Sequence, residues 1–250
     1  MSRTWLITPA FCRAELLHEL LTHIYAGGSP SVHKHIIFDN HYPLGENNSL
    51  MLKAVAEDFG CTYVDSGRDL GLHHGINNVA RLFEFQPDDI VVGCDPDDRP
   101  EVGFAEALTD VLRADPKLAV AACNFSVIDH QRARFGSLYE IKQLAGTTVA
   151  YHMQSNMWNV AGFNWRFITQ IGGFGQTYPY WGGLEHYLLQ RWLPLGMRMC
   201  YLLDYRSDLR FVDFDDRKLF DPEYRMWKDD CRKEYKGSFS MWLAQRDLLK

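Results

Sequence analysis

The sequence predicts an α/β protein, a mostly parallel sheet with helices on both of its faces. Three observations carry that expectation. Strand-like and helix-like stretches alternate at short intervals through the first hundred residues, the pattern of strands joined by helical crossovers. Short apolar runs bounded by turn residues, such as "IVVGC" at 90–94, read as buried strands. Pro9, Asp39, Asp65 and Asp95 each lie at or just past the end of such a run, which lines polar groups along the edge where open α/β sheets bind ligands.

Taken in order, "TWLITP" (4–9) is a first strand ended by proline. Leu16, Leu17, Leu20, Leu21 and Ile24 then recur at helical spacing, and Gly27 and Gly28 stop the helix. "HKHIIFDNH" is a second strand ending in Asp39 and Asn40. "NNSLMLKAVAEDFG" is a second helix with Asn47 or Asn48 as its cap and Gly60 as its stop. "CTYVDSG" gives a third strand, "HHGINNVARLFEF" a third helix and "DIVVGCD" a fourth strand. Phe104, Ala105, Leu108, Val111 and Leu112 share a face of a further helix, and "LAVAACNFSVID" follows as a strand. From Tyr151 to Trp192 the chain is crowded with large rings, glycine and asparagine. The tail from Asp213 to Lys236 mixes eight acids with seven bases and is expected to dock one or two helices on the surface.

At 250 residues the chain is long enough to bury a substantial core in one domain. No apolar run approaches the roughly 20 residues of a membrane helix, so no membrane insertion is expected. The opening residues lack a signal-peptide pattern, and the expected location is cytoplasmic. The six cysteines form no CxxC pair or zinc spacing and read as reduced structural thiols. A formal charge of −6 argues against broad binding to nucleic acid, though not against a local basic groove.

The chemistry concentrates in "CDPDDRP". Asp95, Asp97 and Asp98 fall within four positions, and Pro96 and Pro100 keep a helix from absorbing them. Like charges so close repel one another. A tight turn after a strand aims such carboxylates to one side, where they can share a hard divalent cation, Mn²⁺ or Mg²⁺, or divide between the cation and a ribose hydroxyl. The bland alternative is a solvated acidic turn with Asp98 capping the next helix. A second acidic triplet, Asp213, Asp215 and Asp216, shows how easily the pattern arises.

The order of motifs resembles the nucleotide-sugar glycosyltransferases of the GT-A (Rossmann-like) fold, in particular the large inverting family two, over roughly residues 4–200. "ITP" stands where that family has its threonine- or proline-bearing nucleotide loop, and "FDNH" where it has an aspartate that contacts the base. "DLGLHHGINN" is similar to its Asn-Leu-Gly stretch and Asn-bearing helix, and "GCDPDD" to its metal-binding DxD. "IGGFGQTYPYWGGLEHYLLQR" looks like its Gly-Gly-Phe segment, loop and acidic pair leading to an arginine. The acidic pair is here "LEH", with one member replaced by leucine, and no histidine follows His186 to serve as a late metal ligand.

That resemblance implies a single domain, with a nucleotide-binding half at 1–100, an acceptor-binding half at 101–204 and a helical C-terminal extension at 205–250. It implies a nucleotide-sugar donor, most often a UDP-sugar, contacted by Thr8, Pro9, Asp39, Arg68, Asn77 and Asp95. Asp95, Asp97 and Asp98 are the expected metal ligands. Glu185 takes the place of the catalytic base, with His186 the nearest alternative. Trp181, beside Gly182 and Gly183, is expected in the acceptor cleft, and Trp158 is a second candidate for a stacking wall. The acceptor is open: a glycan, a small molecule or a modified nucleobase of DNA. Other readings are a nucleotidyltransferase, against which the glycine-free "ITPAFCRAE" argues, and a non-catalytic nucleotide-sugar-binding relative. Oligomeric state is not legible.

Overall fold

The computed structural model describes residues 2–11, 13–41, 46–67, 71–124, 140–152, 160–174 and 191–209. Strand β1 (Thr4–Ala10) is buried along its whole length. Helix α1 (Ala14–Tyr25) buries Leu17, Leu20, Leu21 and Ile24, a stripe at helical spacing that turns one face to the sheet. There follow β2 (Lys34–Asp39), α2 (Glu46–Asp58), β3 (Thr62–Asp65), α3 (Gly71–Leu82) and β4 (Ile90–Cys94). Each expected element of this stretch is present. One cap is corrected: α2 begins at Glu46, so Asn47 and Asn48 lie within its first turn, and the Asn48 side chain donates to the Phe11 carbonyl at 3.0 Å.

Beyond β4 come β5 (Asp98–Pro100), α4 (Phe104–Ala114), β6 (Leu118–Asn124), β7 (Glu140–Leu144), β8 (Thr147–His152), β9 (Val160–Asn164), α5 (Trp165–Gln170) and β10 (Arg198–Leu209). β7 and β8 form a hairpin whose two turn residues, Ala145 and Gly146, both have positive φ, as a two-residue type I′ turn demands. β10 runs through the boundary expected at 204 and 205; the rest of the expected C-terminal extension, 210–250, lies outside the described residues.

The strands line up in the order β3-β2-β1-β4-β9-β6-β10-β8-β7, with β5 paired to β10. The ladders β3–β2, β2–β1 and β1–β4 are parallel, as the sequence predicts. Past β4 the sheet is mixed, which corrects the expectation for the second half. β9 runs antiparallel between β4 and β6, β10 is parallel to β6, and β8 is antiparallel to β10.

Alternate residues of β1 and β2 face opposite layers. Trp5, Ile7, Ile36 and Phe38 join Ile76 and Val79 of α3 and Phe167 and Ile168 of α5. On the other face Leu6 and Val92 pack with Leu20 of α1 and Leu108 of α4, while Ile37 meets α1 and Leu52 of α2. Two glycines set the spacing. A Cβ on Gly75 would come within 2.1 Å of the Phe38 ring, and one on Gly162 within 2.8 Å of Leu112 Cδ1. Their absent side chains let α3 and α4 close onto the sheet. Among the described residues no helix is long and apolar enough to cross a membrane.

Candidate functional site

From β1 the chain passes outward to β2 and β3. It then returns over the opposite face through α3 to place β4 on the other side of β1. The carboxyl ends of β1 and β4 are therefore the point at which the strand order reverses, where open α/β sheets carry their ligand crevice. The ladder geometry opens that crevice. β1 stays paired to β2 as far as Ala10 with Asp39, but its pairing to β4 ends at Ile7 with Gly93. Pro9, which has no N–H to donate, lies beyond that last β4 pair.

The acidic residues fill the turn at the end of β4. Asp98 N–H donates to the Asp95 carbonyl at 3.1 Å, closing a four-residue turn with Pro96 in its second position, where proline's fixed φ is favoured. Asp98 then opens β5, which pairs antiparallel with the end of β10. Asp98 is no helix cap, since α4 is capped by Gly103. The three carboxylates offer ligand oxygens that all lie within 4.8 Å of one another. Asp98 is fully buried. Its Oδ1 accepts from Ser207 Oγ at 3.4 Å, and its Oδ2 has no hydrogen-bond partner.

An orphaned buried carboxylate oxygen beside two further carboxylates fits a hard divalent cation. The protonation balance agrees. Burial first, and then the charges of Asp95 and Asp97, push the Asp98 carboxyl up to about 9. Burial likewise raises Asp97, although its own backbone N–H and the charges of Arg13 and Arg99 pull the other way. A bound cation reverses that logic and favours the charged forms.

Of the other expected nucleotide contacts, Thr8 is fully buried, its Oγ1 3.0 Å from His35 Nε2. That imidazole is also 3.2 Å from the Tyr25 hydroxyl, and burial pushes its pKa down to about 3, so it is neutral. Asp39 closes β2 but is buried with both oxygens engaged: Tyr63 Oη donates at 2.6 Å and His41 N–H at 2.8 Å. Asn77 turns its amide to Phe174, accepting from the backbone N–H at 3.0 Å and donating to the carbonyl at 3.3 Å. It clamps the Gly-Gly-Phe segment to α3. Trp165 is buried against Phe85 and Phe174. Arg68, Trp158, Trp181, Gly182, Gly183, Glu185 and His186 lie outside the described residues, as do Tyr178, Tyr180, Asp213 and Asp215.

Asp65 stands at a strand end as the sequence places it, but the groups around it at this edge escape sequence reading. His41 and Asp65, both partly exposed, face each other at 3.3 Å across the ends of β2 and β3. Arg13 caps α1 with a left-handed backbone, φ 71 and ψ 61, a conformation that costs a non-glycine residue about 1 kcal/mol or more. Its charge acts on Asp97. Arg99 binds the carbonyls of Pro96 and Asp98 and pairs with Glu19 of α1. A basic residue after an acidic turn is the only local hint of Arg99; nothing in the sequence announces Glu19.

Neither a protein-family model nor a curated protein sequence matches the chain. Solved structures do. The mannosyltransferase PcManGT from Pyrobaculum calidifontis, in complex with GDP-Man and Mn²⁺, superposes with a TM-score of 0.56 at 19% identity, over 80% of this chain and 56% of that one. GalNAc-T7 with UDP, GalNAc and Mn²⁺ gives a TM-score of 0.62 at 10% identity, over 84% of this chain and 44% of that one. The chain has the GT-A fold of glycosyltransferases, and it spans about half the length of the two structures.

Proposed function

We propose that this chain is a metal-dependent, inverting glycosyltransferase that moves a sugar from a nucleotide-sugar donor, a UDP-sugar first among them, to an acceptor hydroxyl. One observation carries the reading: a turn of three carboxylates with a buried, unpartnered oxygen, set at the strand-order reversal of a GT-A sheet. The two structures that share the fold were each solved with Mn²⁺ and a nucleotide or nucleotide sugar, which supports extending that pairing here. Asp95, Asp97 and Asp98 would hold Mn²⁺ or Mg²⁺, which when bound supplies positive charge to the departing nucleotide diphosphate.

The chain's own groups do the rest. In this reading residues 1–100 bind the nucleotide along the carboxyl ends of the first strands, with Thr8, Pro9, Asp39, Arg68 and Asn77 around it. Residues 101–204 take the acceptor. Glu185 accepts the proton of the attacking hydroxyl, with His186 as the alternative base, and Trp158 and Trp181 present rings on which an acceptor glycan, small molecule or nucleobase stacks. Beyond β10, which continues to Leu209, residues 210–250 supply the helical extension in this reading. The four described cysteines are buried free thiols, in keeping with a reducing cytoplasm.

The test is thermal melting with UDP, GDP, CDP and dTDP, each with Mn²⁺ or with EDTA, beside Asp97→Asn. A nucleotide at a hundredfold its Kd raises the melting temperature by about 5–10 °C through mass action. The expected result is a metal-dependent shift for one nucleotide, absent in the variant. No shift with any nucleotide would sink the reading. Glu185→Gln should keep that shift and lose turnover; full turnover in the variant removes Glu185 as the base.

A further inference from the structure

We propose that Arg99 is a positioning residue for the acidic turn, fixing the carboxylates in place for a divalent cation without touching the cation itself. The inference rests on the cation reading of Asp95, Asp97 and Asp98. Arg99 Nη1 donates to the Pro96 carbonyl at 2.9 Å and to the Asp98 carbonyl at 2.6 Å. Nη2 donates to Glu19 Oε2 at 2.9 Å. The Arg99 side chain is 12% exposed and that of Glu19 46%, so the guanidinium lies under the turn and is anchored outward to α1.

Three carboxylates on four residues repel one another, and the turn has a single backbone bond across it, from Asp98 N–H to the Asp95 carbonyl. The guanidinium adds two bonds to carbonyls of the same turn, and its planar fork makes them directional. Glu19 ties the assembly to the helix that follows β1, so the brace spans the crevice from the β4 side to the β1 side. A lysine ammonium, a point charge on a flexible stem, reproduces this incompletely.

Charge and geometry predict opposite signs. Arg99 is a cation beside a cation site, so by Coulomb's law alone its removal tightens Mn²⁺ binding. As a brace, its removal weakens binding.

The measurement is Mn²⁺ titration of the full chain, read from the electron paramagnetic resonance of free and bound Mn²⁺, alone and with UDP or GDP. Arg99→Gln should weaken Mn²⁺ binding about 10-fold or more, as loss of an outer partner of metal ligands does, and should broaden the bound-ion spectrum. Arg99→Lys should recover part of the loss. Glu19→Ala, at an exposed position, should weaken binding less while melting in EDTA as the wild type does, and it carries the test if Arg99→Gln fails to fold. Wild-type or tighter Mn²⁺ affinity in both Arg99→Gln and Glu19→Ala overturns the brace. A wild type that binds no Mn²⁺ in any condition, or an Asp97→Asn that binds it equally, removes the cation reading and the brace with it.

Discussion

The two halves of the sheet are built by different rules. Up to β4, each strand is followed by a helix, and the ladders among β1–β4 are all parallel. Past β4, β9 slots between β4 and β6, which precede it by many residues, and β10 reaches back to pair with β5, β6 and β8. In the first half, β1–β2 and β2–β3 are each joined by a single crossover that local periodicity specifies, and only β4 returns past β2 to pair with β1. In the second, the β7–β8 hairpin apart, partners are brought together only by the closing of the sheet, which is costly in loop entropy and invisible to a local pattern. The acidic turn lies where the two meet: Asp95 follows β4, and Asp98 is already paired to β10.

The most severe way to break that junction is at Asp89. It is 1% exposed and accepts from Arg3 Nη2 at 2.7 Å, Trp5 Nε1 at 2.9 Å and Gln86 N–H at 2.9 Å, while its carbonyl accepts from Trp165 N–H at 3.0 Å. It thus joins β1 and β4 to α5. Burial would raise its pKa, but the hydrogen bonds from Arg3, Gln86 and Trp5 outweigh that and lower it. Asp89→Ala should cost about 3 kcal/mol, because it strands the half-buried Arg3 guanidinium and the donors of Trp5 and Gln86. Urea unfolding measures this; a loss under about 1 kcal/mol, the worth of an ordinary surface pair, rules out the junction role.

Next come the two glycines, one in each half. Gly75→Ala drives a methyl group into the Phe38 ring at 2.1 Å, whereas Gly162→Ala meets the tip of Leu112 at 2.8 Å. We expect about 3 kcal/mol for the first and about 1 kcal/mol for the second, the range over which overpacking is felt. Equal costs in unfolding experiments would mean that α3 and α4 yield equally.

A third prediction concerns His35 in the first half. Its folded pKa is pushed down to about 3 by burial, against about 6.5 unfolded. Between those values the unfolded chain binds the extra proton, so stability present above about pH 6.5 drains as pH falls toward 3. His35→Gln cannot take up that proton, and should flatten the wild-type profile by about 3 kcal/mol between pH 7 and 4. Identical pH slopes for the two proteins refute it.

The smallest effect belongs to the turn. In EDTA, Asp98→Asn removes a buried carboxyl that burial and the charges of Asp95 and Asp97 force to take up a proton on folding; it should raise the melting temperature by about 2–4 °C, equivalent to roughly 1 kcal/mol in a chain of this size, while abolishing Mn²⁺ binding. A cation site held at the expense of stability is the usual trade at functional positions. A lower melting temperature in EDTA would show that Asp98 is retained for structure.

The sequence by itself determined the strand–helix alternation through residue 94, because apolar spacing and glycine or proline stops are local properties. It also located the acidic turn, because aspartates and prolines that close together leave the backbone few alternatives. Tertiary structure alone decided the rest. Nothing local to "DRP" marks it as a strand, since its pairing partner is Ser207–Leu209. Thr8 and Asp39 occupy strand ends as expected, yet the fold turns their side chains to His35 and Tyr63. Asn77 clamps Phe174 across 97 positions, and Arg99 finds Glu19 across 80. A residue's type and spacing fix what chemistry it offers and which element it enters; what it touches is set by which distant strands the sheet brings alongside.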